Sequence, residues 1–265
     1  MYRELVVAGY FYPANKRELI NFFENNRGDA THKDVKSAIV PHAGYVYSGK
    51  TAFKTLSSID IPSTVILIGP NHTGLGERVS VYPEGSWASP FGDVVVNKGI
   101  TEKLIDKELV FDDYYAHLRE HSLEVVVPML KYLRKDVEIV PITIKGLSLN
   151  ECLVLAKKIS TICMEYKGEI LIVVSSDFNH YEDAEITDKK DMIAIECILN
   201  MDPVALYEKV NLNNITMCGY IPAVIALQGS KELGAKKAIL IEHTHSGYVS
   251  GDYNQVVGYA GIVII

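Results

Sequence analysis

Short apolar runs recur along the chain, and three of them give way to a histidine within a few positions. Ala38-Ile39-Val40 leads to Pro41-His42, Val65-Ile66-Leu67-Ile68 to Gly69-Pro70-Asn71-His72, and Ile170-Leu171-Ile172-Val173-Val174 to Ser175-Ser176-Asp177-Phe178-Asn179-His180. Runs of β-branched and aliphatic residues bounded by Pro, Gly or Ser predict buried strands of a parallel sheet. In open α/β sheets ligands collect beyond the carboxyl ends of the strands, so the three histidines and Asp177 are expected to meet in one pocket. Any one of them alone reads as a strand cap or as a partner for loop backbone. Threefold recurrence favours a site.

Amphipathic stretches alternate with these strands, the pattern of a sheet covered on both faces by helices. Ser48 is placed to cap a helix over 50–56, and Pro62 restarts the chain toward the strand at 64–68, making one β-α-β unit. Residues 79–82 and 93–96 flank a Pro- and Gly-containing segment with Trp87, which predicts a hairpin or excursion that walls the pocket. Helices are expected at 102–109, 122–133, 152–166, 187–200 and 203–210. A longer one is expected from about 217–220 to 234, with Pro222 accommodated in its first turn. Strands at 137–144, 238–244 and 257–265 complete the sheet. No linker, repeat or low-complexity segment interrupts the pattern, so the expectation is one α/β domain over 1–265, a layered sheet flanked by helices.

Composition narrows the function. The chain has 265 residues, 48% hydrophobic and 22% charged, with no apolar run approaching the roughly 18 residues of a membrane span. Its first residues lack the basic, apolar and small-residue order of a secretory signal, so a cytoplasmic location is expected. Four cysteines without C-x-x-C spacing predict reduced thiols. A net charge of −7 and no basic stripe argue against a nucleic-acid partner.

Imidazole suits iron, copper and zinc, and two histidines with one anionic ligand form a common catalytic arrangement. With His42 and His72 as the first two, the third position is open to Asp177, Glu242 or the thiolate of Cys218. A carboxylate there would make the facial triad of non-haem Fe(II) oxygenases, whereas a thiolate would make a softer site. Cys218 is expected at a helix N-terminus, where the dipole would lower its pKa. His180 is the candidate general base, with Asp177 three positions away to orient or ligate. A rival motif, His117-Leu118-Arg119-Glu120-His121, matches the H-x-x-E-H of inverted zinc peptidases. That motif needs one continuous helix, and Ser122 reads as an N-cap that would break it. His243 and His245 share a strand face and could line a pocket or a surface groove, although strand histidines are more often structural; Cys152 and Cys163 share a helix face and read as core thiols; His32 carries no signal.

Four segments together resemble the Memo family: Pro41-His42-Ala43-Gly44-Tyr45-Val46-Tyr47-Ser48-Gly49, Gly69-Pro70-Asn71-His72, Glu120-His121-Ser122-Leu123-Glu124 and Ser175-Ser176-Asp177-Phe178-Asn179-His180. Ala8-Gly9-Tyr10-Phe11-Tyr12-Pro13, the 87–92 loop and Cys218-Gly219 extend the likeness along nearly the whole chain. The resemblance implies a fold related to the class III extradiol ring-cleaving dioxygenases, which use non-haem Fe(II). It also implies metal ligation by His42, His72 and Cys218, with Asp177 and His180 in the same pocket and Tyr45, Tyr47, Asn71 and His121 shaping it. Fe(II) is the cofactor expected first, with Cu or Zn as alternatives. Microbial members of the family are associated with radical-SAM and AMMECR1-like proteins, and the animal member with phosphopeptide binding. The dioxygenases carry a carboxylate where this family places the cysteine, so the shared fold does not by itself carry over ring cleavage. Three functions follow as expectations: a metal-dependent redox enzyme, a metal- or peptide-binding partner in an assembly, and a metallohydrolase.

Overall fold

The computed structural model describes residues 1–29 and 31–265. The strands are β1 (Tyr2–Arg3), β2 (Ser37–Val40), β3 (Thr64–Pro70), β4 (Val79–Val81), β5 (Ser86–Trp87), β6 (Val94–Val96), β7 (Phe111–Asp112), β8 (Glu138–Ile144), β9 (Ile170–Ser175), β10 (His180–Glu182), β11 (Ala238–His245) and β12 (Val256–Ile264). The helices are α1 (Lys16–Asn25), α2 (Lys50–Ser57), α3 (Lys98–Leu104), α4 (Val127–Leu133), α5 (Leu149–Glu165), α6 (Ala184–Leu199), α7 (Pro203–Leu212), α8 (Tyr220–Glu232) and the single turn α9 (Gly247–Ser250).

All the strands join one sheet, whose main path runs β1-β5-β6-β8-β3-β9-β2-β12-β10. At its centre β8, β3, β9 and β2 are mutually parallel, so their carboxyl ends lie along one edge. The continuous apolar runs follow from burial on both faces. Along β3, Val65 and Leu67 face a core shared with Phe53 and Leu56 of α2 and Met129 and Leu130 of α4. Ile66 and Ile68 face the opposite core with Leu155 of α5 and Val224 of α8. All four are fully buried, each contributing about 1.5–3 kcal/mol. The expected layered α/β architecture is the one observed.

Several expected boundaries move for local reasons. Residues 79–82 and 93–96 do not pair as a hairpin: β4 runs antiparallel to β8, β6 runs parallel to it, and β6 pairs instead with β5. Trp87 is buried under the Arg3 guanidinium, 4.3 Å from its ring, and so does not wall the pocket. Helix α3 begins at Lys98, capped by Asn97, and ends before Asp106, whose carboxylate accepts three successive backbone N–H groups in a turn. Residues 122–126 are turns, because the Ser122 hydroxyl donates to the Pro70 carbonyl instead of capping a helix, and α4 starts at Val127 with Pro128 in its first turn. Ser48 likewise donates to Ala43 O; the 45–49 segment is a wide π turn leading into α2.

Candidate metal centre

Every segment that leaves the carboxyl edge of β2, β3 and β9 bends into one cluster, and hydrogen bonds among those segments set its geometry. The Asp177 carboxylate, just past β9, accepts the backbone N–H groups of His42 (2.8 Å) and Ala43 (3.3 Å), tying the ends of β2 and β9 together. His42 is buried, and its Nδ1 lies 2.8 Å from Ser175 Oγ. That hydroxyl donates its own hydrogen to the Ser122 carbonyl at 2.6 Å, so it accepts from Nδ1–H. The ring is thereby fixed with an unprotonated Nε2, which faces Cys218 Sγ at 3.4 Å. Burial first, and then the neighbouring His72 and His121, hold the His42 pKa well below the ordinary histidine value, so the ring is neutral.

His72 is oriented by a carboxylate. Glu120, itself buried, accepts His72 Nδ1–H at 2.9 Å through Oε1 and the His72 backbone N–H through Oε2. Its third donor is the Ser122 N–H. Burial alone would raise the Glu120 pKa, but these bonds, led by the one from His72, hold it down to about 2. The carboxylate–histidine pair leaves Nε2 of His72 as its free nitrogen, the arrangement that typically supports a metal-ligating imidazole. One donor atom each from His42, His72 and Cys218 lies within 4.8 Å of the others. His72, Glu120 and His121 form a second, overlapping group by the same measure. The His121 ring stacks on His72 (4.8 Å between centroids) and packs at a tilt against Phe11 (4.7 Å).

Cys218 departs from one expectation. Helix α8 begins at Tyr220, and Cys218 lies in the preceding turn. Burial, followed by the negative charge of Asp177, pushes the thiol pKa up. Desolvation outweighs any helix dipole here.

Of the other expected residues, Asp177 lies inside the cluster, its Oδ2 4.0 Å from His42 Nε2, and burial raises its pKa. His180 is bonded through its backbone N–H and Nδ1 to Thr216. Tyr47 is exposed beside Gly44. Tyr45 is packed among Tyr12, Phe22 and Phe23 with its hydroxyl donating to Val125 O, so it supports the site from the core and offers it no free group. The Asn71 side chain bonds Leu75 O, Thr73 Oγ1 and Gly74 N–H, and so shapes the loop that carries His72. Glu242 is bound by Thr51 and Lys54 of α2 and is removed from the ligand alternatives. The peptidase reading fails: His117 ends a short 3-10 turn, is buried with Nε2 toward Ser80 O, and shares no helix with Glu120 and His121. His243 bonds the buried Asp191, and His245 stacks on Tyr248. Glu120 and Ser175 went unassigned from sequence. The signal for Glu120 was its place beside His121 in the Glu120-His121-Ser122 segment, where a carboxylate lacked any other use.

The sequence model for Memo-like proteins matches residues 3–263. The chain belongs to the Memo family. A Memo-family protein of Aquifex aeolicus is 41% identical over 266 residues, covering 99% of both chains. One of Methanocaldococcus jannaschii is 40% identical, covering 97% of each. Among solved structures, an uncharacterized protein of Escherichia coli K12 superposes with a TM-score of 0.56 at 11% identity, over 86% of this chain and 99% of that one, a likeness of fold. These matches place the clustered histidines, cysteine and carboxylates within a Memo-family fold.

Proposed function

We propose that this Memo-family chain binds a transition metal through His42, His72 and Cys218, Fe(II) first and Cu or Zn as alternatives, and that the site serves redox chemistry in a cytoplasmic setting. The observation that carries the reading is the approach of the three donors within 4.8 Å, with both imidazoles committed as donors at Nδ1. Two imidazoles and a thiol fit borderline and soft ions, and disfavour Mg²⁺ or Ca²⁺. A bound metal of this kind supplies a Lewis acid and, for iron or copper, an electron-transfer centre. The chain's own residues do the rest. Ser175 and Glu120 orient the two rings, Asp177 locks the strand ends, and His180 is the group placed to hold or move a proton. No described helix is long and apolar enough to cross a membrane.

Elemental analysis of protein purified without oxygen tests the reading, with wild type compared to His42→Ala and Cys218→Ser. Near-stoichiometric iron or copper, lost in both variants, supports it; a folded wild type that stays metal-free after loading with Fe(II), Cu(I) or Zn(II) defeats it. Zinc with no redox response would turn the reading toward a metallohydrolase. A second reading is a non-catalytic partner in an assembly with radical-SAM and AMMECR1-like proteins. It is favoured by the exposed Tyr10, Val46, Tyr47 and Tyr181 on segments flanking the cluster, since tyrosine is enriched at protein interfaces. Pull-down from native lysate that recovers neither protein counts against it.

A further inference from the structure

His180 pairs with Val257 across β10 and β12, and its backbone N–H and ring Nδ1 are both met by Thr216. The Thr216 hydroxyl accepts the His180 backbone N–H at 2.7 Å, and the Thr216 carbonyl lies 2.9 Å from His180 Nδ1. A carbonyl only accepts, so Nδ1 carries the hydrogen and Nε2 is the ring's one basic position. Thr216 is held in turn. Both its backbone N–H and its hydroxyl donate, at 3.1 Å each, to Oδ1 of the fully buried Asn179. Asn179 donates its backbone N–H to Asp191 Oδ1 at 2.8 Å and its amide to Glu182 Oε2 at 2.7 Å. Asp191 is backed by His243 Nε2 at 2.9 Å. Thr216 also lies two residues before Cys218, in the turn that delivers the thiol to His42.

We propose that Thr216 is a positioning residue that fixes His180 in its Nδ1–H tautomer and holds that ring in register with Cys218. The consequence is chemical. With Nδ1 committed, a ligand O–H or N–H in the pocket transfers its proton to Nε2, giving the imidazolium and the ligand anion, and the same atom returns it. His180 is prepared as a base at one atom before any ligand arrives. The tautomer follows from the hydrogen bonds alone, while its use in catalysis rests on the function proposed above.

The test is NMR on metal-free protein labelled with ¹⁵N-histidine, with the His180 signals assigned by their loss in His180→Gln. In wild type the long-range proton–nitrogen pattern is expected to show Nδ1–H and an unprotonated Nε2. Thr216→Ser should preserve it, and Thr216→Val, which keeps the carbonyl but removes the hydroxyl that ties it to Asn179 and to the His180 N–H, should shift the tautomer ratio about fivefold toward Nε2–H, the share expected when the Nδ1–H bond is weakened by about 1 kcal/mol. An Nε2–H tautomer in wild type overturns the proposal, as does a folded Thr216→Val with the wild-type ratio. Should Thr216→Val not fold, the wild-type Thr216 hydroxyl proton decides. Held by Asn179, it should exchange slowly and show an NOE to the His180 amide, and absence of both refutes the arrangement. Because no metal is present, failure here is separate from failure of metal binding, which the elemental analysis reads.

Discussion

Replacing Glu120 by Gln probes the centre without touching a proposed ligand. The carboxylate accepts from three donors, the Nδ1–H and backbone N–H of His72 and the backbone N–H of Ser122, and it is almost wholly buried. Glutamine offers one carbonyl oxygen, so its amide group must face at least one N–H donor, and the charge behind His72 disappears. Losing a hydrogen-bonded carboxylate behind a metal-binding histidine typically costs 10–100-fold in affinity, about 1.4–2.8 kcal/mol. The buried donor left without an acceptor should lower folding stability by about 1–3 kcal/mol. Competition titrations against a chromophoric chelator read the first quantity and urea unfolding of metal-free protein the second. A Glu120→Gln variant with native stability and affinity within about twofold of wild type would refute the orienting role and with it the assignment of His72 as a ligand through its free nitrogen.

Other predictions follow from neighbouring contacts. In Gly219→Ala the new Cβ would lie 2.5 Å from Ser176 Cβ and 2.7 Å from the Ser175 carbonyl, so the Cys218 turn must shift; a loss of about 1–3 kcal/mol in stability and weaker metal binding are expected by urea titration and chelator competition. Arg3 and Glu124 form a buried pair at 2.8 Å that also anchors the Val6 and Val7 N–H groups; Glu124→Leu should cost about 3–5 kcal/mol by denaturant unfolding, and Arg3→Met in the same chain should recover part of it. Burial keeps the Cys218 thiol protonated near neutrality, and His42 is already neutral, so binding through the thiolate must expel the thiol proton. Apparent metal affinity should therefore rise about tenfold per pH unit up to the thiol pKa, and a pH-independent affinity between about pH 6 and 8 would exclude thiolate ligation.

The parallel strands were legible because burial on both sheet faces leaves an uninterrupted apolar run, and the loops after them were legible because each run ended in Pro, Gly or Ser and then a histidine. The helix over 50–56 is found as α2, but the capping roles expected of Ser48 and Ser122 fail for one shared reason. A serine before an apolar stretch signals a cap only if its hydroxyl has no better acceptor, and here tertiary structure supplies one, Ala43 O for the first and Pro70 O for the second. Of the two alternatives for β4 and β6, the hairpin fails because hairpin signals are local, whereas both strands find the edge of β8, more than 40 residues later. The expected electrostatics of Cys218 differ from those found: proximity to a helix start is visible in sequence, and desolvation by the surrounding segments is not.

What sequence could not convey is the supporting layer, and that layer decides the chemistry. His42 and His72 could each have presented either ring nitrogen. The choice is made by Ser175, whose hydroxyl is forced to accept because it donates to Ser122 O, and by Glu120, which has only acceptors to offer. Both depend on the 120–122 turn: Glu120 lies within it, and Ser122 supplies the carbonyl that orients Ser175 and the N–H that Glu120 accepts. The same logic recurs at His180 through Thr216. A substitution in the 120–122 turn should thus disturb both imidazoles together, while one at Thr216 should disturb only His180. Paired ¹⁵N-histidine spectra of Glu120→Gln and Thr216→Val would show whether the centre is built from these two separable supports or relaxes as one unit.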